Sequence, residues 1–110
     1  MYLKLEKFLN IYDAIWKALY VFKADKNNVS VDIIIDKERL IGSNYKTFLK
    51  VKVLFTVSLD DFYSIKANIP ILRKEFPDMG MKFWIRQGVT DFYVDVELIM
   101  EIEEDSRFSS

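Results

Sequence analysis

The sequence predicts a single α+β domain with the element order αββαββ, in which a four-stranded antiparallel sheet carries two helices on one face. Two segments repeat apolar residues at helical spacing, and four segments alternate apolar and polar residues as strands do. With 110 residues, of which 51% are hydrophobic, the chain has enough apolar material for one core and no stretch typical of a linker. We therefore expect one domain over residues 1–104 and a flexible tail over residues 105–110.

The first helix is predicted over residues 3–22, where apolar side chains recur every three or four positions. It ends before the paired residues Asn27 and Asn28, which tolerate turn conformations. Its apolar arc covers about 200° of the helical wheel, more than one sheet can bury. The excess edge, made of Leu9, Trp16 and Tyr20, must pack on the second helix, on the tail or on another chain.

The first two strands are predicted over residues 29–36 and 48–58, joined by a loop of about ten residues around Gly42. The second helix begins at about Leu59 with Ser58 as its cap, and Pro77 ends it. Pro70 lies within this helix and is expected to kink it or to split it near Asn68. A second hairpin follows, with strands over residues 81–86 and 92–100.

The second and fourth strands are the longest, which places them at the centre of the sheet in the order 1-2-4-3. This topology is a circular permutation of the ferredoxin-like α/β plait. The two αββ halves align at a constant offset, so an internal duplication is one interpretation and the general similarity of amphipathic helices is the other. Fifteen strand residues are predicted to face the core: Val29, Val31, Ile33, Ile35, Leu49, Val51, Val53, Phe55, Met81, Phe83, Ile85, Phe92, Val94, Val96 and Leu98.

Composition excludes several classes of site. The chain contains no cysteine and no histidine, so it has no disulfides, no zinc site of the Cys/His kind and no nucleophile activated by histidine. We predict no enzyme activity, no cofactor and no metal. The net charge of -1 disfavours capture of nucleic acid, and no apolar run approaches the roughly 18 residues of a membrane span. The expected location is the cytoplasm, with no membrane partner.

The open face of the sheet is predicted to alternate acidic and basic strands, as cross-strand ion pairs would require. A carboxylate cluster for Mg²⁺ at Asp32, Asp36, Asp95 and Glu97 is disfavoured, because Lys50 and Lys52 lie between these acids. Five apolar residues remain on this face and are candidates for partner binding: Ile34, Leu54, Trp84, Tyr93 and Ile99.

Missing catalytic residue types and surplus aromatic residues together predict a non-enzymatic protein-interaction module that acts as a homodimer. The bias toward Ile, Lys, Phe, Tyr and Asp is typical of AT-rich genomes, including those of phages, so a virus-encoded inhibitor or adaptor in the host cytoplasm fits. The alternative is single-stranded nucleic-acid binding through Trp84 and Tyr93 on the open sheet.

Overall fold

The computed structural model describes residues 5–39 and 45–102. The elements confirm the predicted order: α1 (Leu5–Val21), β1 (Ser30–Arg39), β2 (Tyr45–Ser58), a 3₁₀ turn (Leu59–Asp61), α2 (Phe62–Glu75), β3 (Gly80–Gln87) and β4 (Asp91–Ile102). β1 and β2 are longer than predicted, so only residues 40–44 connect them. The predicted loop around Gly42 and the tail over residues 105–110 lie outside the described residues.

The four strands form one sheet in the order β1-β2-β4-β3, and each neighbouring pair is antiparallel, as predicted. β2 with 14 residues and β4 with 12 are the longest strands and lie at the centre. Central strands bury their backbone hydrogen bonds on both sides, which favours long strands at those positions. The internal duplication and the relation to the ferredoxin-like plait stay predictions.

The end of α1 has the hydrogen-bond pattern of a Schellman motif. The amide of Ala24 donates to the Leu19 carbonyl at 3.0 Å, and the amide of Lys23 donates to the Tyr20 carbonyl at 3.2 Å. Lys23 has a φ of 55°, in the left-handed region that glycine usually occupies at this position. This turn directs the chain back to the sheet, where the amide of Asp25 donates to the Thr56 carbonyl of β2 at 2.9 Å.

α2 follows the short 3₁₀ turn, in which the Ser58 hydroxyl accepts a hydrogen bond from the Asp60 amide. The helix continues through Pro70 to Glu75, so the predicted split near Asn68 does not occur. The Asn68 side-chain amide donates to the Ser64 carbonyl at 2.7 Å and to the Val21 carbonyl of α1 at 3.3 Å. α2 ends where Phe76, which precedes Pro77, leaves the helical region.

The core lies between the helices and the inward faces of β2, β4 and part of β3. Phe22 at the end of α1 is fully buried, and its ring stacks on Phe55 with centroids 6.0 Å apart and meets Phe83 edge-on at 5.9 Å. Ile65 and Leu72 are the buried residues of α2. Through Phe22, the end of α1 is therefore packed against both β2 and β3.

Four residues predicted for the core are exposed instead: Val31, Ile33 and Ile35 of β1, and Ile85 of β3. The contacts of the two helices explain the difference. Phe22, directly after α1, packs on Phe55 of β2 and on Phe83 of β3, while α2 contacts Met81 of β3 through Arg73 and Phe92 of β4 through Phe62. Both helices lie toward the β3 side, so neither of these described helices covers β1, and Val29, directly before the strand, packs against the core while Val31, Ile33 and Ile35 do not.

Neither helix of the described chain is long and apolar enough to cross a membrane.

Candidate functional site

The most unusual surface of the molecule is the uncovered inward face of β1 together with the neighbouring flank of α1. We call it the apolar shelf and define it by Val31, Ile33 and Ile35 of β1 and by Phe8 and Tyr12 of α1. All five side chains are exposed, and Ile33 is the most exposed of the three β1 residues at 66%. Val51, which lies directly opposite Ile33 on β2, is 2% exposed. The boundary between core and surface therefore runs between β1 and β2.

The packing of α1 determines which of its residues line the shelf. On one flank α1 meets α2, where Lys17 lies 3.7 Å from Glu75 and the Val21 carbonyl accepts from Asn68. Successive residues of a helix are about 100° apart, so Phe8 and Tyr12 lie on the opposite flank from Lys17. Because α2 occupies the β3 side, that opposite flank is on the β1 side. The shelf is thus a corner of sheet and helix that a third helix would fill in a larger fold.

The predicted helix edge, Leu9, Trp16 and Tyr20, is further around α1, and Leu9 borders a depression that Met100 and Glu101 of β4 also line. All three residues are exposed, and Tyr20 is the most exposed at 75%. α2 does not cover them, because its contacts with α1 are on the flank of Lys17. The ring of Trp16 instead packs edge-on against Tyr12, with centroids 6.1 Å apart. The helix edge therefore adjoins the shelf and extends its aromatic surface, and its role in binding stays a prediction.

The open face of the sheet carries a row of alternating charges. The strand registers place Asp32, Lys52, Glu97 and Lys82 side by side across the four strands. Lys52 lies 3.9 Å from Glu97 within this row. On the same face, Lys50 lies 3.0 Å from Asp36, its diagonal neighbour on β1. The strand registers confirm the predicted acidic, basic, acidic, basic alternation, and two lysine–carboxylate pairs on this face lie within ion-pair distance.

The same registers divide the five candidate residues of this face into two groups. Leu54 and Trp84 share a row with Asp95 between them, and Tyr93 lies in the next row. With Arg86 these residues line a shallow depression, and the Arg86 guanidinium lies 4.7 Å from the centre of the Tyr93 ring. Ile34 and Ile99 share a row on the other side of the charge row, so they do not join that depression.

Among the residues that the structure describes, no three acidic side chains come together in a way that would hold a metal ion. Asp36 and Glu97 have lysine partners, as given above, and Glu101 lies 3.6 Å from Lys46. The chemistry available at the described surface is therefore apolar and aromatic contact, backbone pairing at the β1 edge, which no described strand occupies, and weak surface ion pairs.

The apolar shelf was missed at the sequence level because its strand residues were assigned to the core. The alternation of Val31, Ile33 and Ile35 with other residues is the local pattern of a covered strand face. Nothing in that pattern separates Ile33 from a buried residue such as Val51 of β2.

No protein-family model matches the chain, and neither the search of curated proteins nor that of solved structures found a significant match.

Proposed function

We propose that the protein is a non-enzymatic protein-interaction module and that the apolar shelf is its principal binding surface. The observation that carries the proposal is the exposure of Val31, Ile33 and Ile35 on one face of β1, with Phe8 and Tyr12 exposed on the flank of α1 that is turned away from α2. Large exposed apolar patches mark sites of protein contact. An inhibitor or adaptor that covers part of a partner's surface fits this chemistry. The proposed viral origin rests on composition alone.

The shelf has the anatomy of an interface core. Aromatic residues are enriched at the centres of protein interfaces, and lysine and acidic residues are depleted there. Between Val31 and Ile35 the inward face of β1 carries no charged residue, and the first charge on that face is Lys37. The aromatic residues Tyr12 and Trp16 beside it can supply large contact area at a low cost in side-chain entropy.

The open sheet face supports its alternative function less well. Trp84 is 52% exposed and free to stack on a base, and Arg86 and Lys82 are near it. Within the described strands, however, that face carries more acidic than basic side chains: Asp32, Asp36, Asp91, Asp95, Glu97 and Glu101 against Lys46, Lys50, Lys52, Lys82 and Arg86. Binding of single-stranded nucleic acid needs a basic groove, so this function ranks second.

Site-specific photocrosslinking tests the proposed function. Tyr12 on the shelf or Tyr63 on α2 is replaced by p-benzoylphenylalanine, and the protein is irradiated in the cells that produce it. Both tyrosines are exposed, so Tyr63 is a matched control for chance collisions. We expect a discrete protein adduct at position 12 only, with its mass showing whether the partner is the same chain or another one. The adduct should disappear when the test chain also carries Ile33→Asp.

Equal crosslinking at positions 12 and 63, or none at either, would contradict the proposal that the shelf is a binding surface.

A further inference from the structure

We propose that the apolar shelf binds a second copy of this chain, with the two β1 strands paired antiparallel about a two-fold axis at Ile33. The inference rests on the proposed function and names its partner. The result is one continuous sheet with four strands from each copy, in which both free β1 edges disappear. All helices lie on the same side of this sheet, because the axis is perpendicular to it.

The two edges of the sheet differ in how they are protected. At the β3 edge, the Arg73 guanidinium of α2 donates to the Met81 carbonyl at 3.3 Å and lies 5.3 Å from the centre of the Phe83 ring. At the β1 edge, the strand pairs with β2 over ten residues on one side and with no described strand on the other. β1 contains no proline, and its first six residues, Ser30 to Ile35, carry a single charge, Asp32, whereas the charges that protect free edges begin at Asp36.

The sequence of β1 is complementary to itself in one register. With Ile33 on the axis, Ile33 lies opposite Ile33 of the second copy, and Val31 lies opposite Ile35 on the same inward face. On the open face, Asp32 then lies opposite Ile34, and Ser30 lies opposite Asp36. No two like charges are paired within this seven-residue span.

Three of the four registers within two residues of Ile33 place carboxylates opposite one another. With Ile34 on the axis, Asp32 meets Asp36 twice, and with Asp32 on the axis this residue meets itself. With Ile35 on the axis, Asp32 meets Glu38. Like charges directly opposite are destabilising in an antiparallel pair. With Val31 on the axis no carboxylates meet, but only residues 30–32 of β1 can pair, because the strand begins at Ser30. The acidic residues therefore oppose three of these registers, and the short paired length opposes the fourth.

Self-pairing also brings the inward faces of two β1 strands together. In the Ile33 register the exposed Val31, Ile33 and Ile35 of the two copies become one apolar strip between the two α1 helices. Phe8 and Tyr12 of each copy border that strip. An unrelated extended segment would satisfy the same backbone groups but would need its own apolar residues at three matching positions, whereas a second copy supplies them by symmetry.

Cysteine crosslinking tests the register, and the chain is suited to it because it contains no cysteine of its own. Single variants Ile33→Cys, Ile34→Cys and Ile35→Cys are oxidised at equal concentration, with Val89→Cys at the exposed β3–β4 turn as the control for collision. Directly opposite Cβ atoms in an antiparallel pair are about 5 Å apart, whereas diagonal neighbours are about 7 to 8 Å apart. We expect Ile33→Cys to form the disulfide dimer at least about tenfold faster than the other two.

A fastest disulfide at position 34 or 35 would overturn the Ile33 register, and rates at all three positions no higher than that of Val89→Cys would overturn β1 pairing.

Sedimentation equilibrium over a concentration series tests the dimer itself. We expect wild type to dimerise reversibly and Ile33→Asp to weaken dimerisation about 100-fold, because the substitution removes apolar contact from both copies and places two carboxylates on the axis. Ile33→Thr, which keeps a β-branched side chain, should give a smaller loss, and Val89→Asp should give none. Circular dichroism checks that each variant is folded.

Wild type that stays monomeric at every concentration, or an Ile33→Asp variant that dimerises like wild type, would overturn the inference. Because the crosslink at position 12 also detects other proteins, a monomer with a specific heterologous adduct would refute self-pairing alone. A monomer with no adduct at that position would refute the proposed function as well.

Discussion

Lys23 lies at the end of α1 in a backbone conformation that is unfavourable for a residue with a side chain. Its backbone adopts the left-handed conformation at the position where the Schellman motif favours glycine. A side chain with a Cβ atom is strained there by roughly 1 kcal/mol. The Lys23 ammonium lies 3.4 Å from Asp61 before α2, but both groups are partly open to solvent, so this ion pair contributes little.

We expect Lys23→Gly to be more stable than Lys23→Ala by about 1 kcal/mol. Both variants lack the ion pair with Asp61, so their difference isolates the backbone strain. Urea unfolding at one fixed protein concentration measures the free energy of unfolding of each. Equal stabilities of the glycine and alanine variants would show that residue 23 is not strained.

At the scale of one element, α2 contains a proline, a residue that usually breaks or kinks a helix when it lies in the helix interior. Pro70 has no amide hydrogen, so the Lys66 carbonyl one turn earlier lacks its usual partner within the helix. The Asn68 side chain adds two hydrogen bonds in the same turn, one of them to α1. Burial of Ile65 and Leu72 on either side of Pro70 holds the helix against the sheet. Tertiary packing therefore outweighs the local preference to break the helix.

Pro70→Ala is expected to raise the free energy of unfolding by about 1 to 3 kcal/mol, because alanine restores the missing hydrogen bond and the best helix propensity. Pro70 is exposed, so little packing is lost. Lys66→Ala on the same helix serves as the control and should change stability by less than about 0.5 kcal/mol. A Pro70→Ala variant no more stable than wild type would indicate that the proline fits the backbone without strain.

At the scale of the whole molecule, the two faces of the sheet differ in how fully their side chains are paired or covered. The open face carries a row of alternating charges from Asp32 on β1 to Lys82 on β3, and Lys52 with Glu97 and Lys50 with Asp36 form cross-strand ion pairs on it. The inward face is covered over β2 and β4 but open over β1. The molecule thus has a solvated charged face and an incompletely covered apolar one, and the proposed pairing joins the second to the same face of another copy.

Lys52→Glu tests the charge row, since the new carboxylate lies between Asp32 and Glu97. We expect it to lower the free energy of unfolding by about 1 to 2 kcal/mol at low salt. High salt should recover part of the loss by screening, whereas the neutral control Lys52→Gln should lose less and depend less on salt. Equal losses for both variants at all salt concentrations would show that the row contributes no net pairing energy.

Much of the fold was predictable because local patterns carry it. Helical and strand periodicities identified both helices and all four strands, and strand length alone placed β2 and β4 at the centre. The ends of β1 and β2 were predicted less well, because their outer residues are polar and are held in the strands by cross-strand pairing. The alternation of charges on the open face was predictable as soon as the strand order was.

The sequence by itself determined the element order, the strand order and the charge pattern, since each depends on spacing along the chain. Only the tertiary structure decided where the helices rest on the sheet. An apolar strand residue has the same local signature whether a helix covers it or not, so Ile33 and Val51 are indistinguishable in sequence but differ from 66% to 2% exposure. The displacement of α1 and α2 toward β3 arises from contacts such as Phe22 with Phe83 and Arg73 with Met81, between residues distant in the chain. Those long-range contacts leave β1 uncovered and thereby create the apolar shelf.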